Sequence, residues 1–339
     1  MNTKRILSVI AVALITFTAA TAQRISVVTE DGSTSVHRTL QQAIEEADPG
    51  STIYLPGGGF SIADSVKITK RLTIIGIGHK SDNENADGST IISGNIFFNE
   101  GSSGSAIMSC YITGNVNIGE GGSEVNDITI KFCNLNSVQV NNSTCQETIV
   151  NQNYIRNTSS FGESNAQISN NIAYSIDKVN GGCVENNILM NKHKYKNYNY
   201  GGEWACIFSN NSVIRNNIFL PNYSASGNSF YYYLLAGAGN RVNNNLTRVD
   251  NVGDNCNMIG DVDWNDVFEN YNDGAISPAS KFQFKGDYSK YEHEAGIYAG
   301  DGFNEGQLAP VPYIISKDIP QQTDAAGKLN IKIRVKAGD

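Results

Sequence analysis

A five-residue motif, aliphatic-x-Asn-Asn-aliphatic, constrains this chain more than any other feature. It occurs as Ile168-Ser169-Asn170-Asn171-Ile172, Val184-Glu185-Asn186-Asn187-Ile188, Ile214-Arg215-Asn216-Asn217-Ile218 and Val242-Asn243-Asn244-Asn245-Leu246. Looser copies precede these: Ile130 to Leu135 and Val150 to Ile155 keep the aliphatic ends and one Asn, and Ile112 to Ile118 is degenerate. One such unit cannot bury its own apolar residues, whereas stacked units share a continuous core, so repetition predicts a solenoid of short strands. Asn170, Asn186, Asn216 and Asn244 are separated by 16, 30 and 28 residues, which places insertions at one edge of the stack. Asparagine tolerates the left-handed backbone of a sharp bend, and its amide can bond to the Asn one coil away. Each unit therefore reads as an inward aliphatic, a bend at Asn, and a second strand beginning with another inward aliphatic, with the asparagines stacked as a ladder.

Composition agrees. The 339 residues include 42 asparagines and 33 glycines but only 17% charged residues, which disfavours a helical bundle and favours a turn-rich β protein. Sixteen Tyr and thirteen Phe exclude a disordered chain.

The entry segment carries a family likeness. His37 to Gly50 forms an amphipathic helical pattern with Leu40, Ala43, Ile44 and Ala47 on one face, closed by Pro49-Gly50. It is followed by Ser51-Thr52-Ile53-Tyr54-Leu55-Pro56-Gly57-Gly58 and then by Leu72-Thr73-Ile74-Ile75-Gly76. In this order of helix, T-I-Y-L-P-x-G strand and L-T-I-x-G strand, the chain resembles the pectin-lyase-like superfamily from about residue 25 to 312. The resemblance implies an all-β fold, a right-handed parallel β-helix of roughly nine to eleven coils with a short N-terminal capping helix. Phe282 to Lys285, Gly296 to Asp301 and Pro310-Val311-Pro312 are similar to the segment that closes many of these helices.

Lys4 and Arg5, the apolar run Ile6 to Ala20 and the small residues ending at Ala22 read as a secretory signal peptide over 1–22. The expected divisions are that peptide, the β-helix over 23–312 and a tail over 313–339. Cleavage would remove two basic residues and no acidic ones, taking the formal charge from −8 to −10, so an exported anionic chain is expected, not a generic nucleic-acid binder. No later run approaches the roughly 18 apolar residues of a membrane span. The six cysteines contain no C-x-x-C pair, which sets aside a zinc ribbon or thioredoxin motif. Two readings of them stay open, small buried hydrophobes or disulfides formed in an oxidising compartment. In the tail, Leu329 to Lys336 alternates apolar and polar residues as one amphipathic strand, either a lid on the last coil or an outward edge for a partner.

Chemistry is harder to read than architecture, because this fold hosts lyases, hydrolases, esterases and noncatalytic adhesins. A polygalacturonase-like site needs paired aspartates, and no Asp-Asp pair occurs; none of His37, His79, His193 and His293 has the matching setting. The expected binding residues lie in two inserts. The first holds Lys192, His193, Lys194, Lys196, Tyr198, Tyr200 and Trp204; the second, from Pro221 to Arg241, adds Tyr231, Tyr232, Tyr233 and Arg241. Aromatic rings suit sugar faces and lysines suit uronate or sulfate groups, whereas in the bland reading the same tyrosines pack the loops onto the helix. If both inserts leave at one edge, they form adjacent walls of a groove. The expected partner is a polysaccharide, acidic if the lysines face it, with lyase chemistry or a noncatalytic surface module as alternatives. No resident cofactor is expected; calcium enters as a lyase's helper cation or at an irregular site in the acidic cluster from Asp261 to Asp266, the alternative there to a capped turn. Asp261-Val262-Asp263-Trp264-Asn265-Asp266 begins like a calcium loop but has Asp266 where Gly belongs and Asn272 where a bidentate Glu belongs, so it reads as an Asp-capped turn. Nothing in the sequence sets an oligomeric state.

Overall fold

The computed structural model describes residues 24–80, 88–191, 193–198, 201–221, 226–227, 230–248, 256–260, 262–269, 271, 276–320, 322–324 and 326–336. The signal peptide expected at 1–22 lies outside them.

Parallel strands stack into three faces, and the chain is a right-handed parallel β-helix. The first face contains nine parallel strands: Thr52–Tyr54, Thr73–Ile75, Ala106–Met108, Thr129–Lys131, Thr148–Asn151, Ala166–Ser169, Cys183–Glu185, Val213–Arg215 and Arg241–Asn243. Their central residues form an inward column (Ile53, Ile74, Ile107, Ile130, Val150, Ile168, Val184, Ile214), all buried. Two further faces share one sheet, because Gly58–Ile68 and Thr90–Phe98 run along both and pair with each other. The second face continues through Tyr111–Ile112, Asn134–Leu135, Tyr154–Ile155, Ile172–Ala173, Ile188–Leu189, Ile218–Phe219 and Leu246–Thr247; the third through Val116–Ile118, Val138–Val140, Ser159–Ser164, Ile176–Asn180 and Ile207–Asn210. At the N-terminal end Ile25–Val28 and Thr34–His37 pair antiparallel and extend the first face. The helix Leu40–Glu46, capped by the Thr39 hydroxyl accepting from Gln42 N (3.2 Å), places Leu40, Ala43 and Ile44 in the same core.

The Asn pair divides its labour. Its first member is the left-handed residue: Asn170, Asn186, Asn216 and Asn244 have φ of 54°, 58°, 55° and 54°. The second is the ladder. Asn171 N and Nδ2 both donate to Asn187 Oδ1 at 2.9 Å, Asn187 does the same to Asn217 Oδ1 at 3.0 Å, and Asn217 to Asn245 Oδ1 at 2.9 and 3.0 Å. Each Nδ2 shares its two hydrogens between that oxygen and two carbonyls within bonding distance, those of Ile168 and Glu185 for Asn187. An orphaned buried polar group costs about 1–3 kcal/mol, so these amides are buried at little penalty only because every one is answered.

The columns continue where the motif fades. Ser109, Phe132 and Gln152 take the left-handed position with φ of 55°, 57° and 56°. Cys110, Cys133 and Asn153 take the ladder position. Cys133 N donates to Asn153 Oδ1 (2.8 Å), and its thiol points at the carbonyls of Ile107 and Lys131, the coil equivalents of the two that Asn187 serves. All six cysteines are free. Burial pushes the Cys133 thiol up to about 12 and raises Cys110 as well.

Two expectations are corrected. The aliphatic that follows the Asn pair faces outward: Ile172, Ile188, Ile218 and Leu246 belong to a second hydrophobic cluster, while the next residues, Ala173, Leu189 and Phe219, enter the main core. The described residues between 262 and 309 run back over the outside of the second face and supply the cover, through Trp264, Val267, Phe268, Tyr271, Phe282, Phe284 and Ile297. Farther along, this arm docks on the left-handed column. Asn170 Nδ2 donates to the carbonyls of Ile297 and Ala299 (2.9 and 2.8 Å), Gln152 Oε1 accepts from Asn304 N, and Ser109 Oγ accepts from Ala309 N. The closing segment therefore descends toward the N-terminal coils. The tail consequently is no lid on the last coil: among the described residues Lys332–Lys336 pairs only with Tyr313–Asp318.

Candidate functional site

Both inserts leave the helix after strands of the second face, Ile188–Leu189 and Ile218–Phe219, and rejoin at the third. The first contributes the hairpin His193–Tyr198 and Gly201–Ala205; the second contributes Ser226–Gly227 and Phe230–Tyr232. They do not stand as two separate walls. Gly201–Ala205 pairs in parallel with Phe230–Tyr232, making one four-stranded sheet with His193–Tyr198 and Ser226–Gly227 as its outer strands. Tyr233 N then donates to Trp204 O (2.8 Å), and Cys206 N and Ile207 N to Leu234 O (both 3.1 Å), which stitches both inserts to the solenoid.

The register brings the predicted residues into rows. Lys194 lies opposite Trp204, and Trp204 opposite Tyr232, so these three share one row across three strands. Lys196, Glu203 and Tyr231 form the adjacent row, and His193 lies opposite Ala205. Tyr198 ends its strand opposite Gly201. Trp204 and Tyr233 are half-buried. Lys192 and Tyr200 lie outside the described residues. Arg241 is not brought to this sheet; it is exposed on the first face, opposite Val213.

Beside the insert sheet runs a polar surface that the motif search missed. The His193–Tyr198 strand comes within 8 Å, Cα to Cα, of Ile176–Asn180 on the third face. The outward row of that face is Asn117, Gln139, Ser160 and Asp177 by register. At the neighbouring corner Asn136 Nδ2 donates to Asn115 Oδ1 and Asn157 Nδ2 to Asn136 Oδ1, both 2.7 Å. Asn191, at the foot of the first insert, donates to Tyr174 OH (2.8 Å) on the same corner. The signal for this second ladder was the recurrence of lone asparagines every 21 residues, hidden by the louder pairs. Amides and hydroxyls spaced by one coil can hydrogen-bond a chain molecule lying along the helix axis, and aromatic residues at its end can stack on sugar rings.

The other titratable residues singled out in the sequence lie elsewhere. His37 is buried beside Ser35 Oγ (2.8 Å), His79 is buried near Gln307 (3.4 Å), and His293 sits by the Tyr298 carbonyl. Asp263 caps the short helix Trp264–Val267, accepting from Asn265 N and Nδ2 at 2.9 and 2.8 Å, as expected of a capped turn; Asp261 lies outside the described residues. Among the described residues no three His, Cys, Asp or Glu groups are clustered as metal ligands.

A family model described as Rhamnogalacturonase A/epimerase, pectate lyase-like, matches residues 27–256. The chain belongs to this family. The match covers the capping helix, all nine strands of the first face and both inserts, and it associates the protein with polysaccharides. No curated protein and no solved structure matches the chain. No helix among the described residues is long and apolar enough to cross a membrane.

Proposed function

We propose that this is an exported protein that binds a uronate-containing polysaccharide along its third face and over the insert sheet. The observation that carries the reading is the alignment of Lys194, Trp204 and Tyr232 in one register row, at the end of the Asn and Gln surface of the third face. A row with one cation and two aromatic residues suits a sugar carboxylate flanked by sugar rings. In the lyase form of the proposal, His193 or Lys194 removes the proton beside the uronate carboxylate, the glycosidic oxygen leaves from the neighbouring carbon, and a divalent cation such as calcium helps neutralise the carboxylate.

A noncatalytic surface module is the second reading, and the composition of the third face favours it. Asn117, Gln139 and Ser160 can hold a ligand through hydrogen bonds without proton-abstracting chemistry, and Asp177 supplies the row's one carboxylate. Incubating the chain with a panel of uronate polysaccharides, with and without Ca²⁺, separates the two. Unsaturated product absorbing in the ultraviolet supports the lyase, saturable binding without product supports the module, and neither binding nor product across the panel overturns the polysaccharide reading.

A further inference from the structure

The residues beyond the arm form a ribbon whose two strands, Tyr313–Asp318 and Lys332–Lys336, pair with no other strand among the described residues. Register places Ile314 opposite Val335 and Lys317 opposite Ile333 on one face, with Ser316 opposite Arg334 and Asp318 opposite Lys332 on the other. Ile319, Leu329, Ile331, Ile333 and Val335 are all exposed, the last two at 51% and 59%. A two-stranded hairpin with an uncovered apolar face is marginal in water, so this face calls for a covering layer.

A complementary surface lies at the N-terminal end of the same chain. Thr34–His37 is the end strand of the eleven-stranded sheet and pairs only with Ile25–Val28 among the described residues. Its Val36 is 54% exposed, and Val36 and Tyr54, the latter also exposed, flank Ser26 in the outer row. Charge matches as well. Residues 24–48 carry Glu30, Asp31, Glu45, Glu46 and Asp48 against Arg24 and Arg38, a net −3; residues 313–336 carry Lys317, Lys328, Lys332, Arg334 and Lys336 against Asp318 and Asp324, a net +3. The arm delivers the ribbon toward this end of the solenoid, since Ala309 is held on Ser109 and Gln307 lies beside His79.

We propose that a second copy of this chain covers the ribbon. The Lys332–Lys336 strand of one copy adds to the open edge of Thr34–His37 on the other, with Ile333 and Val335 against Val36 and Tyr54, and the basic side chains toward the carboxylates of residues 30–48. Because both surfaces are at one end of the molecule, the exchange is reciprocal and closes as a two-fold dimer. An anionic lipid surface would match the ribbon's charge, but it would repel the remainder of a chain whose formal charge is −8.

Sedimentation equilibrium of the full chain over a wide concentration range tests this. The expected result is a monomer–dimer equilibrium whose Kd rises about tenfold from low to high salt, as for an interface with opposed charges. The Ile333→Glu/Val335→Glu variant alters only exposed side chains, so it loses the dimer and melts as the wild type does at concentrations where the wild type is monomeric. Lys332→Glu/Arg334→Glu/Lys336→Glu also loses it, and adding Glu45→Lys/Glu46→Lys restores it. A chain that stays monomeric at every concentration, or a dimer untouched by these changes, would overturn the proposal. So would ribbon-dependent binding to phosphatidylglycerol vesicles by a chain that remains monomeric.

Discussion

The coils around Ser109-Cys110, Phe132-Cys133 and Gln152-Asn153 and those around Asn170-Asn171, Asn186-Asn187 and Asn216-Asn217 make the same bend with different residues. In both groups the first residue is left-handed and the second is buried with its polar group directed at neighbouring coils. The late coils place a buried amide on one backbone N–H and on carbonyls of two coils at each bend; the early coils use a thiol at two positions and lose part of that network. The outer sides differ too. The late coils present Ile172, Ile188 and Ile218 to the arm; among the early ones Tyr154 also meets it, its hydroxyl donating to Ile276 O (2.8 Å), while Tyr111 and Asn134 stand outside that cluster. The motif is therefore two superposed requirements, a bend with a ladder inside and a landing strip for the arm outside.

The comparison is broken most severely at Asn187. Asn187→Ala takes the partner from Asn171 N, strips one bond each from Asn171 Nδ2 and the carbonyls of Ile168 and Glu185, and opens a cavity in the ladder, so the expected loss is about 3–5 kcal/mol in chemical denaturation. Next comes the outer row: Ile188→Ala, under the arm, costs about 2–4 kcal/mol, while Asn134→Ala in the corresponding early position changes stability by less than about 1 kcal/mol. Equal losses at both would show that the arm is not what demands the isoleucine. A smaller effect follows from the early ladder's thiols. With Cys133 raised to about 12, the folded chain keeps its proton while the unfolded thiol loses it above 9.0, so stability holds below pH 9 and falls by about 1 kcal/mol per pH unit above it. Denaturation curves across pH 8–11 read this against Cys133→Ser, which removes the slope due to that thiol. The mildest change is Cys133→Asn, which adds an amide beside Asn153 and the carbonyls of Ile107 and Lys131 and shifts stability by less than about 1 kcal/mol. Placed one strand on, Leu135→Asn buries an unanswered amide in the main core and costs more.

The late coils were legible because Asn serves both the left-handed backbone and the ladder, so both requirements leave one letter in the sequence. Ser109, Phe132 and Gln152 left no such trace, since a left-handed φ is set by the stack above and below and any residue held there must adopt it. The direction of Ile172 and Ile188 was misread for a related reason: a two-residue strand is too short for alternation to show which residue points inward. The arm, which begins 74 residues after Ile188 in sequence, decides it. At the candidate site the sequence supplied residue types and a shared edge, but the pairing of Trp204 with Lys194 and Tyr232 depends on a parallel register between two inserts that no local pattern encodes. Arg241, close to the second insert in sequence, was carried away to the first face by the next coil.

The central claim is that the asparagine pairs hold the solenoid while binding belongs to the insert sheet. A titration of polygalacturonate into wild type and into a Lys194→Ala/Trp204→Ala/Tyr232→Ala variant, followed calorimetrically, tests it most directly. The variant is expected to lose binding about tenfold or more while its denaturation midpoint stays close to wild type. Unchanged affinity in a folded variant would contradict it.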